Sequence, residues 1–346
     1  MPNELPRLSW PGRAPLPPTD GPAPQLMRQV APSGLAVDPT AAANRLYHGD
    51  NLAVMDSLLA TLTGGVDLIY VDPPFCSGDD YVVAGPDGED IAFSDRWQGG
   101  LSTYVDWLAP RLERMRALLA PHGSLYVHLD PTASHYIKVL LDEIFGRECF
   151  QREIIWRIGW VSGYKTQVRN WVRNHDVLLF YTRSASGFTF NRQTVPAPAG
   201  YRRRGGGEAP GRPIEDVWNA NEAERALSGA DSLDSIQIKS FSREKTGYRT
   251  QKNESLVRRV VAASSNPGDL VADFFCGSGT TAAACEQLGR RWLLCDSGAA
   301  AITVTARRLQ AMPLRRPFEV WSMEASADGD IAPAAQTGGI DADEVS

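Results

Sequence analysis

Apolar and polar positions alternate along this chain in blocks that predict strands followed by helices. Continuous apolar runs predict buried strands at 45–48, 66–71, 124–129, 270–274 and 291–295. Apolar residues at helical spacing predict helices at 52–59, 103–119, 133–144, 254–264 and 280–288. Strands that alternate with helices of this length are typical of a doubly wound α/β fold with a mostly parallel sheet.

The two ends of the chain lack this alternation. Residues 1–40 contain ten prolines, and residues 323–346 are rich in alanine, glycine and aspartate, so both segments are predicted to be disordered. Between them, the pattern predicts one α/β domain built from residues 41–150 and 246–322. Residues 151–245 interrupt the alternation and are predicted to form an inserted region.

Charge is distributed unevenly. The formal net charge is −6, but six acidic residues and no lysine or arginine lie in residues 321–346. The span 151–252 instead holds 17 basic against 10 acidic residues. A basic segment inside a balanced protein fits a polyanion-binding surface, although a solvated face gives the same composition.

Composition also indicates the cellular compartment and whether a structural metal is expected. The five cysteines show no CxxC pairing, which predicts reduced thiols and no structural metal. No apolar run is long enough to span a bilayer, and the first forty residues lack the pattern of a secretory signal. The sequence therefore predicts a cytoplasmic protein without membrane association.

A glycine-rich turn follows one of the predicted strands. The segment Asp273-Phe274-Phe275-Cys276-Gly277-Ser278-Gly279-Thr280 leads from a buried strand into a helix, so its backbone can approach a ligand closely. An acid at the strand end would repel a pyrophosphate but suits an ammonium group. Asp296 ends the next strand, where an acidic side chain can accept hydrogen bonds from ribose hydroxyls. The pair predicts a nucleoside-cofactor site rather than a plain tight connection.

A second motif, Asp72-Pro73-Pro74-Phe75, also follows a strand. An exocyclic base amine is a poor nucleophile, because its lone pair is delocalised into the ring. Two acceptors, the Asp72 carboxylate and the Pro73 carbonyl, would favour a pyramidal nitrogen, and two prolines hold the backbone stiff. Phe75 offers a face on which a base taken out of a duplex can stack. The motif therefore predicts an amine-methylating site.

These two motifs, in this order, resemble the β-class of DNA amino-methyltransferases, in particular the adenine-specific modification subunits of Type III systems. The resemblance covers about residues 44–322 and includes Tyr47-His48-Gly49-Asp50 and Thr250-Gln251-Lys252. It implies a Rossmann-like domain, S-adenosylmethionine as the cofactor, double-stranded DNA as the substrate, and a target-recognition region at 151–245. By analogy, it also implies a homodimer and a restriction subunit as partners.

The resemblance assigns roles to individual positions. The catalytic residues it implies are Asp72, Pro73, Pro74 and Phe75. The cofactor-binding residues it implies are Asp50, Lys252, Asp273, Phe274, Cys276, Gly277, Gly279, Thr280 and Asp296. The sequence departs from the family's habit at Asn253, where proline is usual, at Asp296, where glutamate is frequent, and at Phe75, where tyrosine is frequent.

Aromatic and basic residues alternate in the inserted region and suit contacts to phosphates and bases, although tryptophans in a small core would give a similar pattern. The residues predicted to bind DNA are Trp156, Arg157, Trp160, Lys165, Arg169, Arg173, Arg202, Arg203 and Arg204.

Three alternatives stay open from the sequence. Cytosine N4 presents the same amine as adenine N6, and adenine is favoured because Asp rather than Ser stands at position 72. RNA or a protein amide is a second class of substrate. A DNA-binding module with an inactive methylase fold is the third, and the intact Asp72, Gly277 and Gly279 weigh against it.

Overall fold

The structure is a computed structural model. It describes residues 7–10, 23–30, 43–78, 80–85, 88–159, 168–197, 211–220, 222–225, 242 and 244–323. The strands are β1 Gln25–Val30, β2 Asn44–His48, β3 Val66–Val71, β4 Asp80–Gly85, β5 Gly88–Ser94, β6 Leu119–Leu129, β7 Phe150–Arg157, β8 His175–Thr182, β9 Thr194–Val195, β10 Arg212–Pro213, β11 Val217–Trp218, β12 Leu270–Asp273, β13 Arg291–Asp296 and β14 Phe318–Ser322. The helices are α1 Asn51–Leu62, α2 Leu101–Leu118, α3 Ser134–Phe145, α4 Glu222–Arg225, α5 Glu254–Ser264, α6 Thr280–Leu288 and α7 Ala299–Gln310.

One sheet of ten strands organises the domain. Its order is β1-β14-β2-β13-β12-β3-β6-β8-β7-β11, and the run from β14 to β6 is parallel throughout. Strand β8 is antiparallel to both of its neighbours, β6 and β7. The predicted doubly wound, mostly parallel fold is confirmed.

Helices cover both faces of the sheet, which explains the continuous apolar runs of the central strands. Along β3, Ile69 and Val71 pack in one core with side chains of α1, α2 and α3. Leu68 and Tyr70 pack in the other core with side chains of α5, α6 and α7. Within the described ranges, no helix is both long and apolar enough to span a bilayer, and all five cysteines are free thiols.

The sheet has a point where the winding direction reverses. Strands β3 and β12 are parallel neighbours, with Leu68 opposite Val271 and Ile69 opposite Ala272. From β3 the chain continues through α2 to β6 on one side, and from β12 it continues through α6 to β13 on the other. The loops that follow β3 and β12 therefore diverge and leave a crevice at the carboxyl edge of the sheet, where ligands bind in folds of this type.

Two boundaries differ from the sequence prediction. The disorder prediction for residues 1–40 is wrong at Gln25–Val30, because these residues form an edge strand that pairs with β14. Residues 150–157 and 175–182, placed mainly in the inserted region, are strands β7 and β8 of the main sheet. The inserted region is therefore shorter than predicted. Of the predicted acidic tail, only Met323 is among the described residues, and its backbone N–H donates to the His48 carbonyl at 3.0 Å.

Candidate active site

The motif 72–75 leaves the end of β3 and forms one wall of a cleft at the carboxyl edge of the sheet. The cleft has an empty volume of about 1020 Å³, including its open mouth, and the glycine-rich turn after β12 lines the same space. Asp72 and Asp273 thus face a common cleft because they follow adjacent parallel strands. The Asp72 oxygen Oδ1 is buried and has no hydrogen-bond partner among the described residues.

A buried carboxylate, Asp95, holds the loop that follows the motif. Its two oxygens accept the backbone N–H groups of Phe75 at 3.1 Å, Cys76 at 2.9 Å and Ser77 at 2.7 Å. They also accept the Ser77 hydroxyl at 2.7 Å and the Trp97 indole N–H at 2.9 Å. Cys76 has a φ of +60°, which a residue with a side chain adopts only when its surroundings impose it. Asp95 therefore fixes the backbone that carries Phe75.

The glycine-rich turn depends on two glycines in the left-handed region. Gly277 has a φ of +48° and Gly279 a φ of +74°, and Gly279 precedes the first turn of α6. A Cβ on Gly279 would lie 2.7 Å from Thr305 Cγ2, and one on Gly277 would lie 3.2 Å from Tyr248 Cε1. Only glycine fits both the conformation and the space at position 279.

Two buried acids flank this turn. Asp273 accepts hydrogen bonds from the Thr281 hydroxyl at 2.5 Å and the Phe275 N–H at 3.0 Å. Burial raises the pKa of Asp273 to about 7, against the lowering effect of these hydrogen bonds. Burial also raises the pKa of Asp296, which accepts the N–H groups of Gly277 and Gly298, each at 2.9 Å. The site thus keeps two acids beside the turn, and one of them titrates near neutral pH.

Lys252 joins the two motifs. Its ammonium forms an ion pair with Asp72 Oδ2 and lies 5.0 Å from the centre of the Phe75 ring. Its backbone carbonyl accepts the Thr280 hydroxyl at 3.2 Å. The next residue, Asn253, caps α5 by accepting the Ser255 N–H at 2.8 Å, which gives a local role to the residue that replaces the usual proline.

The first residues of α1 bind a buried arginine of α2 and the residue that follows β12. Asp50 caps α1 through its oxygen Oδ1 and accepts Arg111 at 2.6 Å through Oδ2. Arg111 also donates to Asn51 at 2.6 Å, and Asn51 donates to the carbonyl of Phe274 at 2.7 Å. Asp50 lines the cleft, and its role in cofactor binding stays a prediction. Arg111 and Asn51 were not recognised from the sequence.

The remaining predicted cofactor residues lie in the turn itself. Phe274 and Cys276 are buried, and both line the cleft. The Cys276 N–H donates to the carbonyl of Cys295 at 3.0 Å, which ties the turn to β13. Sequence reasoning missed the aromatic side of the cleft, formed by Trp107, Phe275 and Tyr248. Trp107 lies one helical turn before Arg111 on α2.

The predicted DNA-binding residues are only partly placed at the surface. Trp156 is buried at 2% exposure and contacts His128, with ring centres 5.3 Å apart, so its predicted DNA contact is wrong. The alternation of β7 explains this, because Trp156 points into the core and Arg157 points to solvent. Arg169 is exposed, and Arg173 is exposed but paired with Asp176. The predicted residues outside the described ranges are Trp160, Lys165, Arg202, Arg203 and Arg204.

One exposed aromatic residue stands out near these arginines. Trp171 is 97% exposed and lies between Arg169 and Arg173 in the connection from β7 to β8. Strand β7 ends at the same sheet edge as β6 and β3, because β8 is antiparallel to both β6 and β7. Trp171 therefore lies on a loop at the same edge as the cleft.

Comparison with known proteins agrees with this arrangement. Residues 66–307 match the N6/N4 family model described as DNA methylase. The chain is 27% identical over 250 residues to the Type II methyltransferase M.HpaI of Haemophilus parainfluenzae, covering 71% of this chain and 68% of that one. It is 25% identical over 316 residues to the DNA adenine methyltransferase YhdJ of Escherichia coli K12, covering 87% and 94%.

Among solved structures, the PvuII DNA methyltransferase, described as cytosine-N4-specific, aligns with a TM-score of 0.50 and 17% identity. The alignment covers 79% of this chain and 89% of that one. This likeness supports the fold and not the choice of base. The family model spans more than half of the residues and includes both motifs of the cleft. The chain belongs to the N6/N4 DNA methylase family.

Proposed function

We propose that this chain transfers the methyl group of S-adenosylmethionine to an exocyclic amine of a base in duplex DNA, with adenine N6 as the favoured target. The observation that carries the proposal is the common cleft, in which the buried acceptor of Asp72 faces the turn between Asp273 and Asp296. An acceptor for an amine and a nucleoside-binding turn in one crevice suit a transfer between two bound reactants.

The described residues fit the cofactor. The cleft is large enough for a nucleoside with an amino-acid tail, and acids stand at two strand ends, where they can accept hydrogen bonds from hydroxyl and ammonium groups. The lysine that lines the cleft, Lys252, is paired with Asp72. In this assignment, Asp296 accepts hydrogen bonds from the ribose, and Asp273 lies nearest to the ammonium of the methionine part. When bound, S-adenosylmethionine supplies an electrophilic methyl group.

The chain's own residues prepare the base. Asp72 and the Pro73 carbonyl accept the two hydrogens of the amine, and Phe75 stacks on the base that has left the duplex. Asp95 keeps the Phe75 backbone in place, so little reorganisation accompanies the reaction. Asp72 acts as an acceptor, and the nitrogen loses its proton after the methyl group has been transferred.

The test uses one variant and one analysis. Asp72→Ala removes the acceptor, and we expect methylation to fall by at least about 10²-fold, while cofactor affinity stays close to that of the unmodified protein. Methylated duplex from the unmodified protein is digested to nucleosides and identified by mass. N6-methyladenine supports the proposal in full. N4-methylcytosine keeps the mechanism and corrects the base, and unchanged turnover of the variant refutes the role of Asp72.

A further inference from the structure

The cleft contains an ion pair between Asp72 and Lys252, and the proposed reaction uses Asp72 but not yet its partner. The two residues are 180 positions apart in sequence, and their side chains are each 16% exposed. Lys252 comes from the segment before α5, whose backbone is tied to Thr280 at the start of α6. The pair therefore lies where the catalytic motif and the cofactor turn meet.

Both partners of this pair keep unused hydrogen-bonding capacity. Asp72 Oδ1 has no partner among the described residues, and a carboxylate can accept about four hydrogen bonds. An ammonium group has three donors, and the only hydrogen bond of the Lys252 ammonium within the described ranges goes to Asp72. The pair consequently presents an acceptor and a donor side by side.

The position of the ammonium relative to Phe75 shows where this donor lies. Lys252 Nζ is 5.0 Å from the centre of the Phe75 ring. A base that stacks on Phe75 and brings its amine to Asp72 must therefore place its neighbouring ring atoms close to Lys252. In adenine and in cytosine, the atom beside the amine-bearing carbon is a ring nitrogen with a lone pair, and this nitrogen accepts hydrogen bonds.

We infer that Asp72 and Lys252 together bind the edge of the target base, with Asp72 accepting from the amine and Lys252 donating to the adjoining ring nitrogen. The inference rests on the proposed function and adds a residue that selects the base. It reassigns Lys252 from cofactor binding to contact with the base. In thymine and guanine a carbonyl replaces the amine, and the adjoining ring nitrogen carries a hydrogen. Such an edge would bring an acceptor to Asp72 and a donor to Lys252, so the pair discriminates against both bases.

The charge of Lys252 has a second consequence for the site. Asp72 and Asp273 face the same cleft, and like charges at close range disfavour each other. The ammonium of Lys252 compensates the charge of Asp72 through their ion pair. Asp273 is fully enclosed and has no such ion pair among the described residues.

The experiment compares methylation rates in a double-mutant cycle, in which one change is made in the protein and the other in the base. Lys252→Met removes the ammonium and keeps an unbranched side chain, and Lys138→Met is the matched control, because Lys138 forms a similar pair with Asp142 on α3 away from the cleft. Duplexes carry adenine, 1-deazaadenine or 7-deazaadenine at the methylated position, and single-turnover methylation rates are measured. Cofactor affinity is measured separately by calorimetry for each protein.

Because 7-deazaadenine keeps the ring nitrogen beside the amine-bearing carbon, it serves as the control base. We expect 1-deazaadenine, which lacks that nitrogen, to slow the unmodified protein and Lys138→Met about 10- to 100-fold, the effect of losing a hydrogen bond to a charged group. With adenine, the methylation rate of Lys252→Met should be lower than that of the unmodified protein by a similar factor, while its cofactor affinity stays unchanged. With 1-deazaadenine, its rate should fall no further than the intrinsic change in the reactivity of the amine requires. The comparison between proteins cancels that intrinsic change.

Two results would overturn the inference. In one, Lys252→Met and Lys138→Met respond equally to both analogues. In the other, Lys252→Met loses cofactor affinity by the same factor as its rate, which would return Lys252 to cofactor binding. Failure of the proposed function is distinguishable, because the unmodified protein would then not methylate the adenine duplex at all. If the product is N4-methylcytosine, the same cycle uses 3-deazacytosine.

Discussion

In the proposed function, the buried carboxyl of Asp273 lies nearest to the ammonium of the cofactor, so we expect the cofactor affinity to depend on pH. Burial raises the pKa of Asp273 to about 7 in the protein without cofactor. In the proposed function, the ammonium of the cofactor favours the ionised form. Below pH 7, the free protein therefore carries a proton on Asp273 that has to leave when the cofactor binds, and affinity falls as the pH is lowered.

The size of the effect follows from this pKa. At pH 8 about nine-tenths of the protein has Asp273 ionised, whereas at pH 6 about one-tenth has. If the bound form is fully ionised, affinity falls roughly tenfold from pH 8 to pH 6, or about 1.4 kcal/mol. At pH 7, where Asp273 is half protonated, binding should release about half a proton.

Calorimetry in buffers of different ionisation enthalpy measures both the affinity and the released protons. The matched control is Asp273→Asn, in which the amide oxygen can still accept the Phe275 N–H and the amide nitrogen can donate to the Thr281 hydroxyl. This variant binds more weakly at pH 8 but retains the titration of the cofactor's own amino group. A dissociation constant that changes equally with pH in both proteins, with equal proton release, would refute the assignment.

Two further predictions concern the loop that follows the catalytic motif and the connection from β7 to β8. Asp95→Ala leaves three backbone N–H groups without their acceptor, so we expect the free energy of unfolding to fall by about 1–3 kcal/mol and methyl transfer to become slower. Chemical denaturation measures the first effect, and single-turnover rates measure the second. The stability and the methylation rate of Asp95→Asn should lie between those of Asp95→Ala and the unmodified protein. A stable, fully active Asp95→Ala would contradict the role given to this carboxylate. Trp171→Ala should weaken duplex binding about tenfold by loss of stacking, whereas Trp171→Phe should weaken it less. Fluorescence anisotropy measures both affinities. Equal affinity of the two variants and the unmodified protein would show that Trp171 does not contact DNA.

The central fold was predictable because its strands carry their signal locally. The runs ending at Asp72 and Asp273 are continuously apolar, and each stops at a motif with restricted backbone chemistry. That β3 and β12 are neighbours in the sheet is a non-local fact, which the resemblance to a family implied and the pattern alone did not. Strand β1 was not predicted for the same reason, because its partner among the described residues, β14, lies almost 300 residues further along the chain.

Within the site, prediction succeeded for residues in motifs and failed for residues that support them. Asp95 acts on the motif from 20 positions away, and no local pattern distinguishes it from a surface aspartate. Trp156 shows the opposite error, since its arginine neighbours suggested DNA contact. In the structure, Ile154 and Trp156 are buried and the residues between and beside them are less buried, which is the period of a half-buried strand. The sequence conceals this alternation, because Ile155 is also apolar.

In the proposed enzyme, methyl transfer and duplex binding are assigned to separate parts of the chain. The cleft is built from residues between Asp50 and Trp107 and between Tyr248 and Ser297, all in the α/β domain. The exposed Trp171 lies in the connection between β7 and β8, and this loop contributes no residue to the described lining of the cleft. Changes in that connection can therefore alter which duplex binds while Asp72, Lys252 and the cofactor turn stay as they are. We expect variants in the connection to change the affinity for duplex and to leave both the affinity for cofactor and the rate of methyl transfer from the bound state unchanged.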